Sequence, residues 1–278
     1  MEPQLSFWQV MLLAFVQGFS EFLPISSDGH LCVLASLMGR DLDIPTLTIV
    51  LHLGSLAAII VFYFHRVWRL MFEDRRVIVH LIIGTIPAVL VAVAFKLIPK
   101  AIFKTEKSPL DEIMASPVAA GLFLPVTGAL LLWGQRMPQG NQEYRTMPFM
   151  NAWWIGCAQA LAILPGLSRS GSTISTGLAL GLSRQSAATF SFLLAIPAIT
   201  GAGVLELKDL LSGEPQTGPP TADPIHMAIG AFVAFVVGIV SLWILVKILE
   251  RGRLTWFAYY CIALGIAVLA WQGYVHFL

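Results

Sequence analysis

"QGFSEFLPISSDGHL", residues 17–31, decides how this chain is read. It lies in a strongly apolar sequence, yet it carries Glu21, Ser26, Ser27, Asp28 and His30 around Pro24. Ionisable groups in a segment destined for lipid are costly and point first to a functional site. A second stretch, "QALAILPGLSRSGST" at 159–173, echoes it. A shift of 142 residues places Gln17 on Gln159, Ser26 on Ser168 and Gly29 on Gly171. Pro24 and Pro165 each lie shortly before the matched serine.

Around these stretches the composition is that of a membrane protein. Of 278 residues, 57% are hydrophobic and 12% charged, against roughly 25% charged in a typical globular domain. Six apolar windows, 46–64, 78–97, 116–134, 186–204, 226–249 and 255–276, approach the ~20 residues a helix needs to cross a bilayer. A soluble all-α protein would need polar faces on these helices, and they have almost none. Glu2 is the only charge before the first motif, so no cleavable signal peptide is expected. Cys32, Cys157 and Cys261 are scattered singly and read as packing residues. The net charge of +1 says nothing about a nucleic-acid partner, and without a basic, aromatic-interleaved stripe none is expected.

The charges suggest a topology. Segments 65–76, 135–150, 183–185 and 247–253 hold ten Lys and Arg against four acids. Segments 1–6, 39–45, 96–115 and 205–225 hold six against ten. Excess basic residues mark the cytoplasmic side, which assigns the first set there. Residues 7–39 and 151–182, each broken by Pro and polar residues, then read as hairpins that enter the bilayer and return. The first enters from outside, the second from the cytoplasm, and both termini lie outside. The Pro- and Gly-rich stretch 210–224 reads as an exposed outer linker. The expected fold is all-α and polytopic: six transmembrane helices plus two re-entrant helical hairpins, within one integral membrane domain, 1–278. Each half, 1–134 and 135–278, has an odd number of crossings, so the halves form an inverted repeat.

Irregular backbone at membrane depth is tolerated where it is buried in protein or lines a wet cavity. Each break precedes a helix start, with Ser26, Ser27 and Asp28, or Ser168, Ser170 and Ser172, as N-cap candidates. Helix N-termini attract anions. Gly29 and Gly171 would let backbone approach a ligand closely, and Arg169 offers a planar fork for phosphate. The expected ligand is therefore an anion rich in oxygens, phosphate or diphosphate best of all. His30 could act as base, acid or nucleophile. Ser27 and His30, three apart, share a helical face; Glu21, with Gln17 at i−4, could orient the imidazole or activate water.

Plainer readings stand beside these. The serines could be caps alone, and His30 a satisfied structural histidine. Glu21 and Arg169 could be an ion pair between the hairpins. Asp28 reads as a cap or turn former, and His52 as a packing or hydrogen-bonded histidine. His65 and His80 read as interfacial, Trp153 and Trp154 as belt residues. No zinc-type spacing occurs and no organic cofactor is indicated. A divalent cation held by Glu21 and substrate phosphates is left open.

At these residues the sequence resembles a known family. "QGFSEFLPISSDGH" and "LPGLSRSGSTIS" are similar to the two signatures of the bacterial undecaprenyl-diphosphate phosphatases of the bacitracin-resistance type. "ATFSFLLAIPAITGAG", 188–203, is similar to a third stretch. The likeness runs over nearly the whole chain. It implies an integral hydrolase of the bacterial inner membrane that converts undecaprenyl diphosphate to the monophosphate carrier for peptidoglycan. It implies a site open to the outer face and a magnesium or calcium requirement. Glu21, Ser27 and His30 match the family's catalytic residues, and Arg169 its phosphate-binding arginine. Ser168 and Ser170 are that arginine's neighbours, and Ser26, Gly29, Gly171 and Thr173 complete the matching stretches. Gln17 stands where many relatives have Glu, and Asp28 where Thr is common. The attacking group is open among His30, Ser27 and water, and the oligomeric state is open, a homo-oligomer included. The same parts would also suit a secondary transporter or flippase for polyprenyl phosphate; an envelope scaffold would not need midplane polar residues.

Overall fold

The computed structural model describes residues 4–39, 45–103, 113, 115–211 and 222–277. The linker read at 210–224 falls, from 212 to 221, outside the described residues. Among the described residues there are eleven helices: α1 (Phe7–Ser20), α2 (Ser27–Leu37), α3 (Pro45–Phe62), α4 (Phe64–Phe72), α5 (Arg75–Phe103), α6 (Pro117–Arg136), α7 (Phe149–Leu161), α8 (Arg169–Ala179), α9 (Arg184–Leu211), α10 (Pro224–Glu250) and α11 (Thr255–Phe277).

Five of these, α5, α6, α9, α10 and α11, are long and apolar enough to cross a membrane. The window at 46–64 is corrected in one respect. The helix there ends at Tyr63, and α4 departs at 83° to α3, so the two make a sixth span only as a bent pair. The sequence of α4, "FHRVWRLMF", explains the bend. Phe64, Trp68 and Phe72 are exposed at a spacing of four, with Arg66 and Arg69 between them, which is the pattern of a helix lying along an interface. Large apolar side chains such as Leu90, Phe232 and Val240 face outward on the spans, as lipid contact requires. The structure is that of a multi-pass membrane protein.

The spans pack where small residues remove side chains from the contact, as is usual between membrane helices. A Cβ on Gly18 of α1 would lie 2.5 Å from the carbonyl oxygen of Ala234 in α10. A Cβ on Gly156 of α7 would lie 2.3 Å from that of Gly84 in α5. α1 thus leans on α10, and α7 on α5, by the same device. α6 and α11 pair through Gly128 and Gly265, the latter seated on Pro125.

All four basic loop segments meet at one end of the bundle. Arg145 pairs with Asp74 at 2.9 Å, and Arg66 donates to the Tyr144 hydroxyl at 3.1 Å. Ser183 N–H donates to the Gln142 carbonyl, and Leu254 N–H to Gln135 Oε1. Two expectations change or hold here. His80, read as interfacial, is fully buried; its Nε2 donates to the Met147 carbonyl at 2.9 Å, which tethers α5 to the loop before α7. The three cysteines are free, with Cys32 and Cys261 buried, as packing residues should be.

Candidate active site

Two helix–break–helix units, α1–α2 and α7–α8, carry the motifs. In each, a short helix ends, six or seven residues turn, and an 11-residue helix restarts. Neither limb is long enough to span the hydrocarbon core alone. Of the N-cap candidates, Ser26 and Ser168 take the role. Ser26 Oγ accepts from Gly29 N–H at 3.3 Å, and Ser168 Oγ from Gly171 N–H at 3.1 Å. Asp28 is not the cap; it sits in the first turn of α2, where the helix dipole favours a negative charge.

The tips are bonded to one another. Gly166 N–H donates to Ser26 Oγ at 3.1 Å, and Ser170 Oγ donates to the Leu23 carbonyl at 3.2 Å. A Cβ on Gly29 would stand 2.9 Å from the Cα of Gly166. Ser26 holds φ 70° to make this junction, a conformation costly for a residue with a Cβ and typical of functional sites. Thr127 of α6 braces the second tip: its hydroxyl donates to the Gly166 carbonyl and accepts from Ser168 N–H, both at 2.8 Å.

Glu21 is the hub. Its Oε1 accepts from Arg169 Nη2 at 2.5 Å. Its Oε2 accepts from Ser27 Oγ–H at 2.7 Å and from Gln17 Nε2 at 3.1 Å. The ion pair between the hairpins therefore exists, and it joins the Ser27 hydroxyl to the Arg169 guanidinium through one carboxylate. Arg169 Nη1 also reaches the Ser191 carbonyl at 3.4 Å. Thr173 bonds the Ser191 hydroxyl at 2.6 Å, so α9 buttresses the arginine. An uncompensated carboxylate in this buried place would be strongly unfavourable; three donors compensate it.

A cavity of about 600 Å³ opens beside this hub. Glu21, Ser26, Ser27, Asp28, Ser168 and Arg169 line its polar end. Ile49, Leu53, Val89, Val93, Ile163 and Ile199 line an apolar trough leading away from it. The structure brings six of the expected site residues to one cavity.

Others lie elsewhere. His30, expected to share a face with Ser27, turns away. Its Nδ1–H donates to the Ser26 carbonyl at 2.7 Å, and its Nε2 accepts from the Tyr260 hydroxyl at 2.7 Å. Its ring also stacks on Tyr260. The physical reason is that i and i+3 differ by about 60° around a helix, enough for Ser27 to face the cavity and His30 to face α11. Gly29, Gly171 and Ser170 serve the junction between tips rather than the cavity wall. Gln17 is fully buried behind Glu21.

Sequence reasoning missed two wall residues. His52 of α3 lines the cavity, with Nε2 3.6 Å from Glu21 Oε2 and 4.0 Å from Asp28 Oδ1. Gln159 also lines it, and its buried amide has no partner among the described residues. The pairing of Gln159 with Gln17 in the echo was the one available signal for it. For His52 there was none, since a lone histidine in an apolar run looks structural.

The divalent cation left open at Glu21 would meet a carboxylate that is already engaged. Both oxygens of Glu21 are taken by protein donors. No group of three His, Cys, Asp or Glu among the described residues could hold a metal ion.

Comparison with known proteins identifies the family. The family model for bacitracin resistance protein BacA matches residues 10–267. A protein of Rhodopirellula baltica named undecaprenyl-diphosphatase is 46% identical over 94% of this chain and 96% of its own. Proteins of the same name from Halothermothrix orenii and Carboxydothermus hydrogenoformans are 36% and 35% identical, each over 96% of this chain. They are covered over 98% and 97% of their own lengths. With both motifs meeting at one site and a match of this extent, the chain belongs to the bacitracin resistance protein BacA family.

Proposed function

We infer that this chain hydrolyses undecaprenyl diphosphate to undecaprenyl phosphate and inorganic phosphate. The observation that carries the reading is the unbroken line Ser27–Glu21–Arg169 at the head of an apolar trough. It offers a hydroxyl, a base and a phosphate-binding cation at the end of a lipid-sized entrance.

The mechanism follows from the bonds. The terminal phosphoryl group lies at the polar end, its oxygens toward Arg169 and Ser168. Ser27 Oγ attacks the terminal phosphorus as its proton passes to Glu21 Oε2, the atom it already touches. The bond to the bridging oxygen breaks, and undecaprenyl phosphate leaves. Glu21 loses that proton to solvent and then takes one from a water that attacks the phosphoserine; the Ser27 Oγ–P bond breaks, phosphate departs, and Glu21 Oε2 returns its proton to Ser27 Oγ, 2.7 Å away. Arg169 stabilises the charge that develops on the equatorial oxygens in both steps, the dominant contribution in phosphoryl transfer. Ser27 is favoured over His30 as nucleophile because the Nε2 lone pair of His30 is engaged by Tyr260, away from the cavity. A transporter would need no hydroxyl hydrogen-bonded to a base. No cation cage occurs among the described residues; where activity requires a cation, the substrate's own phosphates are its natural ligands.

The two helix–break–helix units act as re-entrant hairpins related by an inverted repeat, with six spans between and after them. Support comes from the matched caps, the corresponding helix pairs α1–α10 and α7–α5, and the convergence of the basic loops at one end. The end bearing those loops faces the cytoplasm of the inner membrane, and the trough opens to the outer leaflet. The substrate tail lies along the trough and into lipid.

The test is phosphate release from undecaprenyl diphosphate by the purified protein in detergent, with magnesium or calcium present or chelated. Release that collapses in Ser27→Ala and Arg169→Ala supports the reading. Release unchanged in Ser27→Ala would refute the assignment of the nucleophile, and no release by folded wild type would refute the hydrolase.

A further inference from the structure

His52 lies outside both motifs, on α3, yet its ring is held in the site. Its Nδ1 is 2.8 Å from the Thr48 carbonyl, which can only accept, so this nitrogen carries a proton. That bond fixes the ring plane and aims Nε2 between two carboxylates, Glu21 at 3.6 Å and Asp28 at 4.0 Å. Only a donor is tolerated in such a place; a lone pair would face two negative oxygens. The groups around the ring are Glu21, Asp28, the Thr48 carbonyl and, beyond Glu21, Arg169. Neither Nε2 distance is a closed hydrogen bond, so the donor is not consumed by either partner. His52 and both carboxylates line the same cavity.

The problem this solves is electrostatic. A diphosphate must enter a pocket whose wall carries Asp28, about half exposed, and whose hub is Glu21. Arg169 is already paired with Glu21, which leaves Asp28 without a cationic partner of its own other than the His52 ring. We propose that His52 is a substrate-positioning residue of the hydrolytic site: its Nε2–H offsets Asp28 and Glu21 and donates to the incoming diphosphate. The inference rests on the hydrolase reading and adds a third element, α3, to the two hairpin tips.

The test compares kcat and KM for undecaprenyl diphosphate in full-length protein in detergent. His52→Leu is expected to raise KM at least tenfold while kcat falls less than fivefold. His52→Gln, whose amide N–H reaches about as far as Nε2 but carries no charge, is expected to fall between wild type and His52→Leu in KM. Adding Asp28→Asn to His52→Leu is expected to recover at least threefold in KM, because the charge left unopposed is removed. KM of His52→Leu within twofold of wild type would overturn the proposal. So would equal damage in His52→Gln and His52→Leu, or no recovery in the double variant; each would make His52 a packing residue. If His52→Leu does not fold, His52→Asn replaces it, since its shorter amide serves Thr48 and not the cavity. The same series is measured as dissociation constants for undecaprenyl diphosphate. These remain readable if turnover is absent, so failure of the hydrolase reading and failure of the His52 assignment give different results.

Discussion

The two hairpin tips have the same scaffold and opposite chemistry. Each restarts its helix with a serine cap on a glycine three residues on. The first tip then supplies Glu21, Ser27 and Asp28, and the second supplies Arg169 with hydroxyls at 170, 172 and 173. At either tip a charge left unpaired in so buried a place would be strongly unfavourable. Together they neutralise one another and leave a hydroxyl facing a cavity. The comparison teaches that the ion pair is at once the joint between the two helix–break–helix units and the core of the proposed active site. Stability and catalysis are therefore coupled here.

The largest expected effect breaks the first tip's chemistry without touching the joint. Ser27→Ala should lower kcat by at least a thousandfold, about 4 kcal/mol of transition-state stabilisation, with little change in melting temperature; phosphate release and thermal unfolding in detergent check both. Arg169→Ala breaks chemistry and joint together. It should cost about a hundredfold or more in kcat/KM and also lower thermal stability, because Glu21 loses its partner. Arg169→Lys should recover only part, a point charge being unable to serve Glu21, Ser191 and phosphate at once.

Smaller effects sharpen the contrast between the tips. Gly29→Ala forces a Cβ to 2.9 Å from the Gly166 backbone, whereas Gly171→Ala meets side chains at 3.1 Å or more. The first should destabilise by about 1–3 kcal/mol, as overpacking does, and the second by less than half of that; paired denaturation curves decide. Ser26→Ala orphans two N–H groups, of Gly29 and Gly166, and Ser168→Ala only that of Gly171. The expected costs are about 2 and about 1 kcal/mol, the smallest difference in the series, though Ser26→Ala also relieves nothing at its strained φ.

Much of this was legible in the sequence. Hydropathy placed the spans because lipid imposes one length on every crossing. The two breaks stood out because polar residues and Pro interrupt apolar runs at matched spacing. Glu21 and Arg169 were both visible, and their pairing was one of the readings on hand. What could not be read depends on contacts distant in the chain. His30 follows Tyr260, 230 residues away, rather than its neighbour Ser27. His52 becomes a site residue only when α3 is laid against the first tip. The end of α3 at Tyr63 is hidden inside a continuous apolar window, and only the spacing of Phe64, Trp68 and Phe72 betrays it.

The most direct test of the central claim is the chemistry of the phosphoryl intermediate. Undecaprenyl diphosphate labelled in its terminal phosphate is mixed with the protein, quenched within a turnover, and the protein-bound label is exposed to acid and to alkali. A label that survives acid, is lost in alkali and is missing from Ser27→Ala is the result expected. A label destroyed by acid and spared by alkali, or one that persists in Ser27→Ala, would contradict the account and move the attack to a histidine.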